Sequence, residues 1–122
     1  MAKFKKKIDK VIIKVIYDEG FNVRDDFDDP QLIKDLESGQ LSPYGVVAYA
    51  TILIPMGDHW VIQKISSGGL WGILLDNSES SKKYIKEVAE EQVGELMVIL
   101  KALGYLQAFK TFGFNNYKIK YT

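Results

Sequence analysis

At 122 residues, with 47% apolar and 26% charged side chains, the chain fits one ordinary α+β domain and lacks the low-hydrophobicity, high-charge signature of disorder. It contains no cysteine, which removes disulfide frameworks, thiolate zinc sites and thiol nucleophiles together. Net charge is zero, but six lysines lie between Lys3 and Lys14, eight carboxylates between Asp18 and Glu37, and Lys110, Lys118 and Lys120 near the C-terminal end.

Residues 8 to 17 (IDKVIIKVIY) are rich in β-branched side chains and hold no turn residue, which predicts a strand. Lys14 interrupts the apolar run Val11 to Ile16, and no small-residue cleavage site follows. A secretory signal is therefore not expected, and a cytoplasmic location is. No apolar run approaches the roughly 20 residues needed to cross a bilayer. Asp18 to Pro30 carries six acids, one glycine and one proline, the composition of an exposed connection. Pro30 can open a short helix with Asp29 as N-cap, Leu32, Ile33 and Leu36 on its inner side and Gly39 at its end.

From Tyr44 to Ile54, Val46, Ala48, Ala50, Ile52 and Ile54 alternate with Val47, Tyr49, Thr51 and Leu53. Both sides are largely apolar, so this strand is expected to be central. Pro55 and Gly57-Asp58 supply a turn, and Trp60 to Ile65 returns as a third strand. Ser66-Ser67-Gly68-Gly69 reads as a second tight turn before a fourth strand, Leu70 to Leu75. In Glu79 to Leu103, Ile85, Val88 or Ala89, Val93, Leu96, Leu100 and Leu103 recur at helical spacing. Ser78 or Ser80 can cap the start and Gly104 the end. A helix of about 36 Å can cover one face of a four-stranded sheet. The expected fold is thus an antiparallel sheet of about four strands on one long helix, with a short helix and an aromatic tail.

That tail, Tyr105 to Thr122, holds Tyr105, Phe109, Phe112, Phe114, Tyr117 and Tyr121. It can add a strand, dock on the sheet or engage a second copy of the chain, and Asn115-Asn116 can turn a terminal hairpin.

Candidate chemistry is sparse. SSGGLWG offers amides to an anion, but it has no lysine after the glycines, no G-x-G-x-x-G spacing and no helix following. His59 is the single histidine, so no multi-histidine metal site can be built. As a base for Ser66 or Ser67 it would anchor an enzyme reading beside the Ser66 to Gly69 turn. Asp25, Asp26, Asp28 and Asp29 supply oxygen ligands without the glycine and distal glutamate of an EF-hand loop. No catalytic residue, cofactor or metal is expected. Asp25, Asp26, Asp28, Asp29, Trp71 and Tyr117 are instead the expected partner contacts, with another protein as partner. The basic termini support an alternative, contact with nucleic acid, provided that they form a continuous basic face.

The block Ser67-Gly-Gly-Leu-Trp-Gly-Ile73 occurs with Asp28-Asp29-Pro30, Tyr44-Gly45-Val46, Asp76 and a long helix closing at Leu103-Gly104. In this order the features resemble a group of small proteins of phages and other mobile elements, over roughly residues 17 to 104. Leu74-Leu75 departs from the acids that follow the block in that group, and the aromatic tail lies outside the pattern. The resemblance implies a mobile-element setting and a host protein as partner, with the chain as an inhibitor that binds and blocks a defence enzyme such as a CRISPR or restriction nuclease. It carries no catalytic residue.

Overall fold

The computed structural model describes residues 6–19 and 29–122. Its sheet is organised by β2 (Ser42–Met56), whose apolar side chains on both sides suit it to a central position. β1 (Lys7–Tyr17) runs antiparallel along one edge, from Lys7 opposite Leu53 to Tyr17 opposite Tyr44, with a bulge at Asp9. The other edge is divided: β3 (His59–Ser66) pairs with the C-terminal half of β2 and β4 (Leu70–Leu75) with its N-terminal end. The β2–β3 hairpin closes through Gly57-Asp58, where only Gly57 takes a positive φ, +63°, as a II′ turn requires.

Because β3 and β4 are both antiparallel to β2 on the same edge, they run in the same direction. Ser66 to Gly69 is therefore not the tight turn expected from its glycines but a break in one long edge. The reason lies in Ser67. Its amide donates to the Ala48 carbonyl at 2.8 Å and its Oγ accepts from the Ala48 amide at 2.9 Å, so the side chain replaces the ladder acceptor lost at the break.

One face of the sheet is covered by α2 (Glu79–Ala102), which buries Ile85, Val88, Ala89, Gln92, Val93, Leu96 and Leu100. They pack on Ile8, Val11, Ile13 and Val15 of β1 and on Val46, Ala48, Ala50 and Ile52 of β2. Ala48 and Ala50 keep this face low, so the helix approaches the sheet closely and both alanines are sealed from solvent. Ser78 caps the helix by accepting from the Ser81 amide, and Gly104 follows its end at φ +86°. Leu103, expected on the inner face, lies at the C-cap and is 52% exposed, because the periodicity stops one residue before it. The short helix α1 (Pro30–Glu37) starts as its sequence indicates, with Asp29 accepting from the Gln31 amide, and Gly39 follows at φ +82°. Leu32, Ile33 and Leu36 are only half-buried and none belongs to the core cluster.

The tail completes the domain. Leu106–Phe112 forms α3, which buries Phe109 against the core, while the Tyr105 hydroxyl donates to Gln63 Oε1 at 3.0 Å. Asn115-Asn116 does not turn a hairpin. The Asn116 amide bonds back to Gly113, and β5 (Lys118–Tyr121) pairs in parallel with the free edge of β1. The described sheet thus has five strands rather than about four, in the order β3-β2-β1-β5 with β4 also on β2. An exposed β1 edge would leave backbone donors and acceptors unpaired, and the tail pairs with those between Ile12 and Val15. Its burial of Tyr105 and Phe109 turns these two aromatics to the chain's own core rather than to a second copy. No helix among the described residues is long and apolar enough to cross a membrane.

At the entrance to α2, Asp76 Oδ1 accepts from the Ser78 amide and the Ser81 hydroxyl, both at 2.8 Å. Hydrogen bonding by the Ser78 side chain, then by its amide and by the Ser81 hydroxyl, holds the Asp76 carboxyl below its ordinary pKa. A depressed folded-state pKa adds stability that is present above the unfolded value and lost as pH falls through the folded one. Asp76→Asn is expected to lower the thermal midpoint at neutral pH, and the gap from wild type should shrink as the acid range is entered. A gap that stays constant down to the acid transition would contradict this role.

Candidate binding surface

Strand alternation assigns every side chain to one of two faces. Val46, Ala48, Ala50 and Ile52 lie under α2, and their β1 partners Val15, Ile13, Val11 and Ile8 share that side. The opposite face takes Lys7, Lys10 and Lys14 from β1, which pair with Leu53, Thr51 and Val47. Lys118 and Lys120 of β5 pair with Ile12 and Lys14, and Lys64 of β3 pairs with Thr51, so they fall on the same face. All six lysines of the described strands therefore occupy the face away from α2, and Asp9, at the bulge, is the single carboxylate in those strands.

Aromatic rings lie among these lysines. Lys14 Nζ stands 4.9 Å from the Tyr49 ring centre and Lys7 Nζ 4.9 Å from that of Trp60, within cation–π range. Trp71 extends the row toward the other end of β2. Its indole lies on Gly45, where a Cβ would stand inside the ring, and against Gly69, where a Cβ would come within 2.8 Å of Nε1. Gly69 is held at φ +83°, and Trp71 Nε1 donates to the Gly68 carbonyl at 3.3 Å. The ring is thus fixed by one face on a floor without side chains, and the residue remains 48% exposed.

The floor is anchored from the other side of the sheet. Gln92 of α2, buried, accepts with Oε1 from the Ser67 hydroxyl at 2.7 Å and from the Gly69 amide at 3.1 Å. Glu95 Oε1 accepts from the Gly68 amide at 2.8 Å. The amides that an anion would need at SSGG are engaged by the helix, so this segment is a structural clamp. Gly72 is tied in turn to Asp18 Oδ2 at 3.1 Å.

Of the expected contact residues, Trp71 and Tyr117 are not brought together. Trp71 lies on the open face at the β4 edge. Tyr117 precedes β5 at the opposite edge and packs half-buried against the core, where burial and then the Glu90 carboxylate push its phenol pKa up. Asp29 is engaged as the cap of α1. Asp25, Asp26 and Asp28, like Lys3 and Lys5, lie outside the described residues. His59 is exposed beside Asp58 Oδ1 at 3.1 Å, at the far end of β3 from Ser66. Seven residues of strand separate the two by about 23 Å. With Ser67 Oγ directed at Gln92, the histidine–serine arrangement is ruled out. Two concavities, of about 1090 and 620 Å³, open beside Tyr105 and beside Tyr121, and neither is lined by His59, Ser66 or Ser67. Among the described residues no three His, Asp or Glu side chains converge as a metal site would require.

Two features escape a reading by composition. The shared face of the lysines is written in period two, in Lys10-Val-Ile-Ile-Lys14 and Lys118-Ile-Lys120, and becomes visible only once β1 and β5 are adjacent and parallel. Gln92 betrays itself as a polar residue in the apolar phase of α2, between Ala89 and Leu96.

Among the described residues the fold is an α+β sheet-and-helix domain in which Trp71, Ile62 and five of the six strand lysines are exposed on the sheet face away from α2. Comparison with protein-family models, curated proteins and solved structures gives no match.

Gln92→Leu keeps bulk but leaves the Ser67 hydroxyl and the Gly69 amide without their acceptor. It is expected to cost about 1–3 kcal/mol in urea unfolding. Exposed Glu91→Ala on the same helix should stay within about 0.5 kcal/mol of wild type. Equal costs for the two would show that the clamp carries no weight.

Proposed function

We propose that the chain is a binding module without chemistry of its own, which engages a partner bearing clustered negative charge through its open sheet face. The observation that carries this reading is the placement of all six strand lysines on that face, with Tyr49 and Trp71 among them. A basic surface of this kind steers and holds a polyanion, and its strength falls with salt. The reverse side carries no comparable excess of one sign: on α2, Glu79, Glu87, Glu90, Glu91 and Glu95 are exposed beside Lys82, Lys83, Lys86 and Lys101. The likeness of the Ser67–Ile73 block to phage and mobile-element proteins adds a setting, action on host machinery, to this reading.

Retention on a heparin resin separates surface from total charge. Wild type is expected to bind at low salt, and Lys118→Glu with Lys120→Glu should elute at markedly lower salt. Lys82→Glu with Lys83→Glu, equal in charge change but placed on exposed α2 positions, should elute with wild type. Flow-through of wild type at low salt, or an equal effect of both pairs, would remove the reading.

A further inference from the structure

Resting on that reading, we propose that the polyanion is a single-stranded nucleic acid whose bases stack on Trp71 and Tyr49 while Lys10, Lys14, Lys64, Lys118 and Lys120 hold its phosphates. Two properties of the face select this partner. The first is shape. Reading duplex DNA requires an element that enters a groove, a helix or a two-stranded ribbon. Here the two helices packed on the sheet, α2 and α3, both lie on its other side, and the face offered is the broad surface of the strands. Such a surface fits bases that are already unpaired and can lie flat.

The second is the state of the rings. Gly45 and Gly69 let the backbone pack closely on the Trp71 indole while the residue stays exposed. A ring already held in place loses little freedom when a base stacks on it. Gly45 and Tyr49 are four residues apart on β2, so the two rings are separated by about 13 Å along the strand, a span that successive bases of one strand can bridge. The lysines flank this row on both sides, Lys10, Lys14, Lys118 and Lys120 on β1 and β5 and Lys64 on β3. An acidic protein surface would satisfy the lysines equally well but would present no planar faces to the indole.

Fluorescence anisotropy with a labelled oligothymidylate of about ten nucleotides tests the pairing of charge and stacking. Trp71→Ala is expected to weaken oligonucleotide binding about 5- to 150-fold, the range for loss of one stacked base. It should leave binding of inorganic polyphosphate within about twofold of wild type. Trp71→Phe should restore most of the affinity, which a mere loss of fold would not allow. In a Trp60→Phe background the remaining Trp71 emission should be quenched as oligonucleotide is added. Oligonucleotide affinity indifferent to Trp71, duplex bound more tightly than single strand, or poly-glutamate preferred to both would overturn the stacking proposal. Polyphosphate binding would then leave the charged-face reading intact, whereas failure to bind any polyanion would defeat both.

Discussion

The structure depends on α2 lying across one face of a sheet whose central strand is apolar on both sides. β2 would support a helix on either face. The face that α2 covers carries the small residues Ala48 and Ala50, and these are sealed from solvent together with Leu96 and Leu100 of the helix. Once that face is taken, alternation leaves no freedom for the rest. The lysines of β1, β3 and β5 all fall in the opposite phase and are presented on the other side. The basic surface is therefore a direct consequence of where the helix packs.

The same helix also governs the weakest point of the sheet. An edge that breaks between β3 and β4 would leave backbone groups of Ser67, Gly68 and Gly69 without ladder partners. Gln92 and Glu95 meet two of these amides directly, and Ser67 repairs the ladder with its own hydroxyl. The indole of Trp71 then rests on the outer surface of the stretch that α2 holds from within. Core side and open side are coupled through three residues of backbone, so the orientation of the exposed aromatic is set by a buried amide on the far side of the sheet.

Much of this architecture was legible in the residues. Alternation located β2, helical spacing located α2, and Asp29-Pro30 and Ser78 marked two helix starts. The turn chemistry of SSGG misled, because two glycines specify permissive backbone without specifying whether the chain reverses or merely breaks. The tail misled for a different reason. Its parallel pairing with β1 joins residues more than a hundred positions apart, and no local pattern encodes a partner at that distance. The candidate surface was hidden by the same gap. Lysines at the two ends of the sequence point to nucleic-acid contact only if they share a continuous face, and it is the adjacency of β1 and β5 that joins them. The aromatic count of the tail pointed to Tyr117 as a contact, whereas its ring is half-buried beside Glu90.

The central claim is that the working surface of the domain is the sheet face opposite α2. Backbone amide resonances of isotopically labelled protein, followed during titration with inorganic polyphosphate, address it most directly. The account expects shifts concentrated in β1, β5 and β3 around Lys14, Lys120 and Lys64, with the exposed side of α2 unchanged. Shifts centred on Lys82, Lys83 and Lys86 at the start of α2, with the strands silent, would contradict it.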